Sequence, residues 1–86
     1  MITGGISINQ IPGVPVAAMA ELVQEAERLG YARCWVCDQG LDCRDIFVTL
    51  TAAAQKTRTL RLGTGITHPY TRHPAVTAGG IASLDE

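Results

Sequence analysis

Several features that define large protein classes are absent from this sequence. The seven lysines and arginines are scattered along 86 residues and the net charge is −1, so a nucleic-acid-binding face is not expected. No charged segment followed by an apolar one opens the chain, and no apolar run approaches the roughly 18 residues that a membrane span needs. We therefore expect a cytoplasmic protein that binds a small-molecule substrate, with neither nucleic acid nor membrane as a partner.

Cysteine is scarce and odd in number. Cys34, Cys37 and Cys43 occur without a secretion signal, which argues against a disulfide framework. CWVC has the C-x-x-C spacing, but it lies inside a predicted strand, where the two thiols would point to opposite faces; a redox pair normally opens a helix. A zinc site would need a further ligand near Cys43, whereas the only histidines, His68 and His73, lie a whole βα unit later. Structural thiols and no metal are expected.

Composition and apolar spacing predict one globular α/β domain over residues 1–86. Hydrophobic residues make up 47% of the chain and charged residues 17%, which is typical of a packed protein. GGISIN reads as a short strand, and an amphipathic helix follows from Val16, with Pro15 in its first turn and Gly30 at its end. The predicted core residues of this helix are Met19, Leu22, Val23, Ala26 and Leu29. YARCWVCD, a mostly apolar run, predicts a second strand that is covered on both faces.

A second helix, a third strand and a third helix complete the alternation. Asp45 is a candidate N-cap for a second helix, TLRLGTGIT is a third strand, and Pro74 begins a third helix. The core positions predicted for the second helix are Ile46, Phe47, Leu50, Ala53 and Ala54, and the large apolar residues of the third are Val76, Ile81 and Leu84. Gly79 and Gly80 interrupt the third helix, which favours tight packing against a neighbouring element.

The order strand, helix, strand, helix, strand, helix predicts parallel strands joined by right-handed crossovers. Parallel sheets are normally buried on both faces, yet three strands and three helices leave one face uncovered. We therefore expect the first three units of a larger fold, such as an eight-unit barrel of about 250 residues.

Functional residues of such folds lie where strands end and lead into helices. Three stretches should meet there: residues 7–9, residues 38–39 and residues 63–70. Gly63 and Gly65 are too close for a GxGxxG fingerprint, and no acidic residue stands about twenty positions later, which disfavours a Rossmann site. Glycine at this place either lets a flat ring approach the backbone or marks a β-bulge.

Individual side chains near these strand ends leave two interpretations open. Asp38 could hydrogen-bond the polar edge of a heterocycle, or cap the following loop by accepting backbone N–H groups. Arg72 and His73 could bind an anion at the start of the third helix, or His73 could simply begin that helix. His68 is a candidate acid or base, and Thr67 has a hydroxyl suited to a cofactor edge.

YARCWVCDQG and the block LGTGITHPYTRHPAVTA, within a match over roughly residues 6–86, resemble the N-terminal part of the bacterial-luciferase-like superfamily. The similarity is greatest to its deazaflavin branch, which includes methylenetetrahydromethanopterin reductases. The resemblance implies a (β/α)8 TIM barrel that binds coenzyme F420, or FMN in other branches, at the strand ends. It further implies hydride transfer to or from an organic substrate, with oxygen insertion in the monooxygenase relatives.

The resemblance also implies which residues contact the cofactor. They are Asp38, Gln39, Gly65, Ile66 and Thr67, with a non-prolyl cis peptide between Gly65 and Ile66 that supports the ring. Two positions depart from the family pattern. Gln39 stands where many relatives have a histidine and cannot titrate, and Ser7 stands where the reductase branch tends to have glutamate. No catalytic residue is assigned on this basis, and Asp38 is the one candidate.

The function expected is therefore a piece of an F420-dependent oxidoreductase that carries part of the cofactor site and is inactive alone. A piece of an FMN-dependent monooxygenase is the first alternative. The second is a non-catalytic α/β scaffold that covers its exposed sheet by forming a homo-oligomer. In the first two cases the partner of this chain is the rest of the barrel.

Overall fold

The computed structural model describes residues 2–38, 43–65 and 73–86. Three strands, β1 (Ile2–Ile8), β2 (Tyr31–Val36) and β3 (Arg61–Thr64), alternate with three helices, α1 (Val16–Arg28), α2 (Ile46–Lys56) and α3 (Pro74–Asp85). The strands form one parallel sheet in the order β1-β2-β3, in which Ile8 lies beside Val36 and Val36 beside Thr64. The predicted alternation of parallel βα units is what the structure contains. No helix in these described ranges is long and apolar enough to cross a membrane.

The residues predicted to begin and end the helices do so. Pro15 immediately precedes α1, and Gly30 has a φ of 95°, the left-handed conformation that favours glycine. Asp45 is the N-cap of α2, where its carboxylate accepts hydrogen bonds from the backbone N–H groups of Phe47 (3.0 Å) and Val48 (3.1 Å). These bonds satisfy N–H groups that have no partner within the helix.

The core lies between α1, α2 and one face of the sheet. Its buried apolar residues are Met19, Ala20, Val23, Ala26, Cys34, Val36, Ile46, Leu50, Ala53 and Leu60. The prediction was wrong for Leu22 and Leu29, which are 49% and 55% exposed because they flank the face of α1 that meets α2 and β2. On α2, Thr49 is fully buried, while Phe47 and Ala54 are only partly so.

Helix α3 packs on α2 and has no fully buried residue. The prediction of close packing is confirmed for Gly80, where a Cβ would lie 3.3 Å from the Phe47 ring, and wrong for Gly79, where an added Cβ would meet nothing within 4 Å. Val76 and Ile81 are 60% and 42% exposed, and α2 is the element against which the described part of α3 mainly packs.

The second face of the sheet is open. The prediction that β2 is covered on both faces is wrong for this chain, because Arg33 and Trp35 are exposed on the side away from the helices. The Trp35 indole lies over both neighbouring strands: a Cβ at Gly5 would overlap it, and a Cβ at Gly63 would lie 3.2 Å from its Cδ1. The absence of side chains at these two glycines gives the indole room to lie across the sheet.

A single carboxylate holds the turn between α2 and β3. Glu27, at the end of α1, accepts three hydrogen bonds on Oε2 from the backbone N–H groups of Arg58 (2.8 Å), Thr59 (2.8 Å) and Leu60 (2.9 Å). Burial alone would raise the pKa of Glu27, but these N–H donors outweigh it, so the pKa lies below its ordinary value of 4.5. The charged form of Glu27 is therefore the form that stabilises the fold.

Candidate functional site

The carboxyl ends of the three strands meet at one edge of the sheet, as predicted. The backbone N–H of Cys37 donates to the carbonyl of Ile8 (3.2 Å), and that of Gly65 donates to the carbonyl of Val36 (2.7 Å). These bonds continue the parallel pairing beyond the regular strands. They bring the residues that follow β1, β2 and β3 side by side at the edge from which functional loops extend in parallel folds.

The thiol of Cys37 lies between Asn9 and Gly65 at this edge. Its Sγ donates a hydrogen bond to Asn9 Oδ1 (3.0 Å), and a Cβ placed on Gly65 would lie 3.2 Å from the same Sγ. Gly65 is exposed, so its backbone is accessible beside the thiol. Ser7 lies two residues before Asn9, within β1 and beside Trp35 of β2. Of the predicted stretch 7–9, it is therefore Asn9 that reaches the strand ends.

The other predicted residues divide into those the structure describes and those outside the described ranges. Asp38 is half-buried directly after Cys37, at the expected edge. Gln39, Ile66 and Thr67 lie outside the described residues, as do His68 and Arg72 and the second half of the Gly65–Ile66 peptide. His73 is exposed and begins α3, with its Nδ1 accepting a hydrogen bond from the backbone N–H of Ala75 (3.0 Å). The structure thus supports the interpretation of His73 as the residue that starts the helix.

The buried side-chain amide of Gln10 supports the site from the protein interior, and the sequence did not predict it. Gln10 is only 4% exposed. Its Nε2 donates to the carbonyl oxygens of Cys37 (3.1 Å) and Arg44 (3.1 Å), and its Oε1 accepts from the Thr49 hydroxyl (3.3 Å). These partners are 27 to 39 positions away along the chain. Local sequence therefore carried no signal beyond a polar residue directly after a strand.

The two cysteines of CWVC differ in their surroundings. Cys34 is fully buried under the helices, and this burial raises its pKa to about 11. Cys37 directly follows β2 and is half-buried beside Asn9. They cannot approach each other as a redox pair without rearrangement of the strand. Within residues 2–38, 43–65 and 73–86, no group of three or more His, Cys, Asp or Glu side chains could hold a metal ion.

We expect a thiol-specific alkylating reagent to modify Cys37 much faster than Cys34. The thiolate is the reactive form, and a pKa of about 11 against the ordinary 9.0 lowers the thiolate fraction of Cys34 by about 100-fold at neutral pH, before burial limits access further. Peptide mass spectrometry over a time course measures both rates in one sample. Equal rates at the two cysteines would contradict the described burial of Cys34.

Comparison with known proteins supplies the family. Residues 2–86 match the family model described as luciferase-like monooxygenase. The chain is 42% identical over 79 residues to the 5,10-methylenetetrahydromethanopterin reductase of Methanolobus tindarius, covering 92% of this chain and 24% of that protein. It is 42% identical over 78 residues to the reductase of the same name from Methanopyrus kandleri, covering 91% of this chain and 22% of that protein.

A solved structure agrees with the sequence matches. The coenzyme F420 dependent tetrahydromethanopterin reductase from Methanopyrus kandleri superimposes with a TM-score of 0.86 at 39% identity, covering 98% of this chain and 23% of that one. The chain thus spans about a quarter of the length of these relatives. The predicted fold class, three parallel βα units that correspond to part of a (β/α)8 barrel, is confirmed, and so is the predicted resemblance. The chain belongs to the luciferase-like monooxygenase family.

Proposed function

We propose that this chain forms part of the coenzyme F420 site of an oxidoreductase that transfers a hydride between this cofactor and an organic substrate. The observation that carries the proposal is the meeting of Asn9, Cys37, Asp38 and Gly65 at the carboxyl edge of the sheet. It is supported by 39% identity to a solved reductase described as coenzyme F420 dependent. Bound F420 would supply the carbon that accepts or donates the hydride.

The residues at this edge fit a planar heterocycle. Gly65 presents exposed backbone without a Cβ, so a flat ring can approach the strand end closely. The Cys37 thiol lies next to it, with its Sγ 3.2 Å from where a Cβ on Gly65 would lie. At the border of this surface, the half-buried Asp38 provides carboxylate oxygens, which can accept a hydrogen bond from an N–H group on the polar edge of a ring.

Each residue then has a separate task in binding. Gly65 sets how near the ring comes to the sheet, and Asp38 fixes its rotation through one polar edge. Asn9 holds the thiol of Cys37 against Gly65, since its Oδ1 accepts the S–H hydrogen bond. The Cys37 thiol and the strand backbone would shield from water the face of a ring bound against them.

Cofactor titration tests the proposal. The full gene product that carries these residues would be titrated with F420 while the cofactor fluorescence is followed, and with FMN in parallel. We expect saturable binding of F420 and weaker binding of FMN. Tighter binding of FMN would instead favour the monooxygenase alternative. Binding of neither would contradict the cofactor site and favour the non-catalytic scaffold.

A further inference from the structure

We propose that Gln10 is a positioning residue that fixes Cys37 and Asp38, at the end of β2, in the geometry that binds the cofactor. This inference rests on the proposed function. It assigns a role to a side chain that lies behind the site and does not reach its surface, because Gln10 is 4% exposed. Its effect on binding must therefore pass through the backbone that it holds.

One nitrogen of the Gln10 amide joins the end of β2 to the residue before the N-cap of α2. Nε2 donates to the carbonyl oxygens of Cys37 and Arg44, each at 3.1 Å. The two oxygens therefore lie no farther apart than twice that distance, although the residues are seven positions apart in the chain. One side chain therefore links the residue after β2 to the residue before the N-cap of α2, which restricts the backbone at both of these positions.

The first of these bonds controls the direction of Asp38. The carbonyl of Cys37 belongs to the peptide plane that joins Cys37 to Asp38, and a planar peptide has no rotation of its own. The hydrogen bond to this oxygen therefore fixes the orientation of the peptide that leads into Asp38. The backbone N–H of Cys37 is held as well, by Ile8 at 3.2 Å, so both peptide planes around the thiol are fixed and the thiol stays beside Gly65.

The second bond, to the carbonyl of Arg44, ties Gln10 to the start of helix α2. Arg44 directly precedes Asp45, the N-cap, and Thr49 on the first turns of α2 donates its hydroxyl hydrogen to Gln10 Oε1 at 3.3 Å. The two carbonyls only accept hydrogen bonds, so the amide nitrogen faces them, and the Thr49 hydroxyl donates to the amide oxygen that remains. Two donors and one acceptor on a buried side chain of this length are what glutamine provides and glutamate, at neutral pH, does not.

The test compares Gln10 with a matched exposed glutamine. Gln10→Met keeps the approximate volume without the hydrogen bonds, and Gln10→Glu keeps the shape but faces both carbonyls with oxygen. Gln24→Met and Gln24→Glu make the same changes on the exposed face of α1. For each full gene product, F420 affinity would be measured by fluorescence titration at a temperature where circular dichroism shows it to be fully folded. Amide hydrogen exchange would be followed in parallel over residues 43–49 and over α1.

We expect both Gln10 variants to raise the F420 dissociation constant at least about tenfold. Exchange should quicken over residues 43–49 and stay unchanged in α1, whereas the Gln24 variants should match the wild type. If the wild type binds F420 and the Gln10 variants bind it equally well, this inference is overturned and the proposed function stands. If the wild type does not bind F420, the proposed function fails and the inference with it.

A milder pair keeps the test decisive if the Gln10 variants do not fold. Thr49→Val removes the hydroxyl that orients the amide and preserves the shape of the side chain, whereas Thr49→Ser preserves the hydroxyl. A positioning role predicts weaker F420 binding in Thr49→Val and recovery in Thr49→Ser. If Gln10 and Thr49 only stabilise the fold, Thr49→Ser should be the more damaging variant, because serine loses the buried methyl group. Equal F420 affinity in both Thr49 variants would overturn the inference.

Discussion

Replacing Glu27 with alanine is expected to lower the free energy of unfolding by about 2–3 kcal/mol, because three backbone N–H groups lose a charged acceptor at once. These N–H groups belong to Arg58, Thr59 and Leu60, which lead directly into β3. Leu60 is nearly buried, so its N–H has little access to water as a replacement partner. Urea denaturation followed by circular dichroism measures the change.

A control for this substitution lies on the same helix. Glu25 is exposed, and its carboxylate forms an ion pair with Arg28, three residues later. Exposed ion pairs contribute little to stability because water and salt screen them. Glu25→Ala makes the same chemical change near the same helix end, and we expect a far smaller loss than for Glu27→Ala. Similar losses in the two variants would show that the carboxylate contacts of Glu27 contribute nothing beyond helix composition.

The Glu27 effect should depend on pH in a defined direction. The pKa of Glu27 in the folded chain is below 4.5, its ordinary value, so the folded state favours the charged form. Its contribution is therefore complete above pH 4.5 and is lost as the pH falls through the lower, folded pKa. The stability difference between wild type and Glu27→Ala should be constant near neutral pH and shrink in acid. A difference that persists in strong acid would contradict this linkage.

The elements of the fold could be predicted because their signals are local. Pro15, Gly30, Asp45 and Pro74 act through their own backbone conformation or through hydrogen bonds to N–H groups two or three residues away. Such signals survive in a single sequence. The alternation of period between strands and helices then defines a parallel α/β topology without knowledge of any tertiary contact.

The hydrogen bonds of Gln10 and Glu27 could not be predicted, because each joins residues that are far apart in the chain. Gln10 bonds to groups at least 27 positions away, and Glu27 to groups at least 31 away. The position of Cys37 between Asn9 and Gly65 depends on the register of three strands, which the sequence does not give. Sequence reasoning thus located the edge that carries the site but not the side chains that hold it in shape.

The error over β2 has a different origin. Near-continuous apolar character predicts a strand covered on both faces, a rule that describes complete parallel sheets. In this chain one face of β2 is open, and Trp35 is 39% exposed on it. The chain spans 23% of the length of the solved relative, so a rule drawn from complete sheets does not describe the sheet that it forms.

Replacing Gly65 with valine is expected to weaken F420 binding at least about tenfold, equivalent to ~1.4 kcal/mol. A Cβ at this position would lie 3.2 Å from Cys37 Sγ, and its two methyl groups would add bulk at the exposed backbone against which we place the ring. Gly4→Val is the matched control, since Gly4 is an exposed strand glycine with nothing within 4 Å of an added Cβ. Fluorescence titration of the full gene product with F420 measures both.

A second substitution separates two causes of that loss. If Gly65→Val acts only by pushing on the thiol, the double variant with Cys37→Ala should recover the affinity, because the side chain that it crowds has been shortened. If the methyl groups occupy the space of the ring, Cys37→Ala should recover nothing. We expect no recovery, because Gly65 is exposed and the valine methyl groups remain where the cofactor must lie. Unchanged F420 affinity in Gly65→Val would remove the strand end of β3 from the cofactor site.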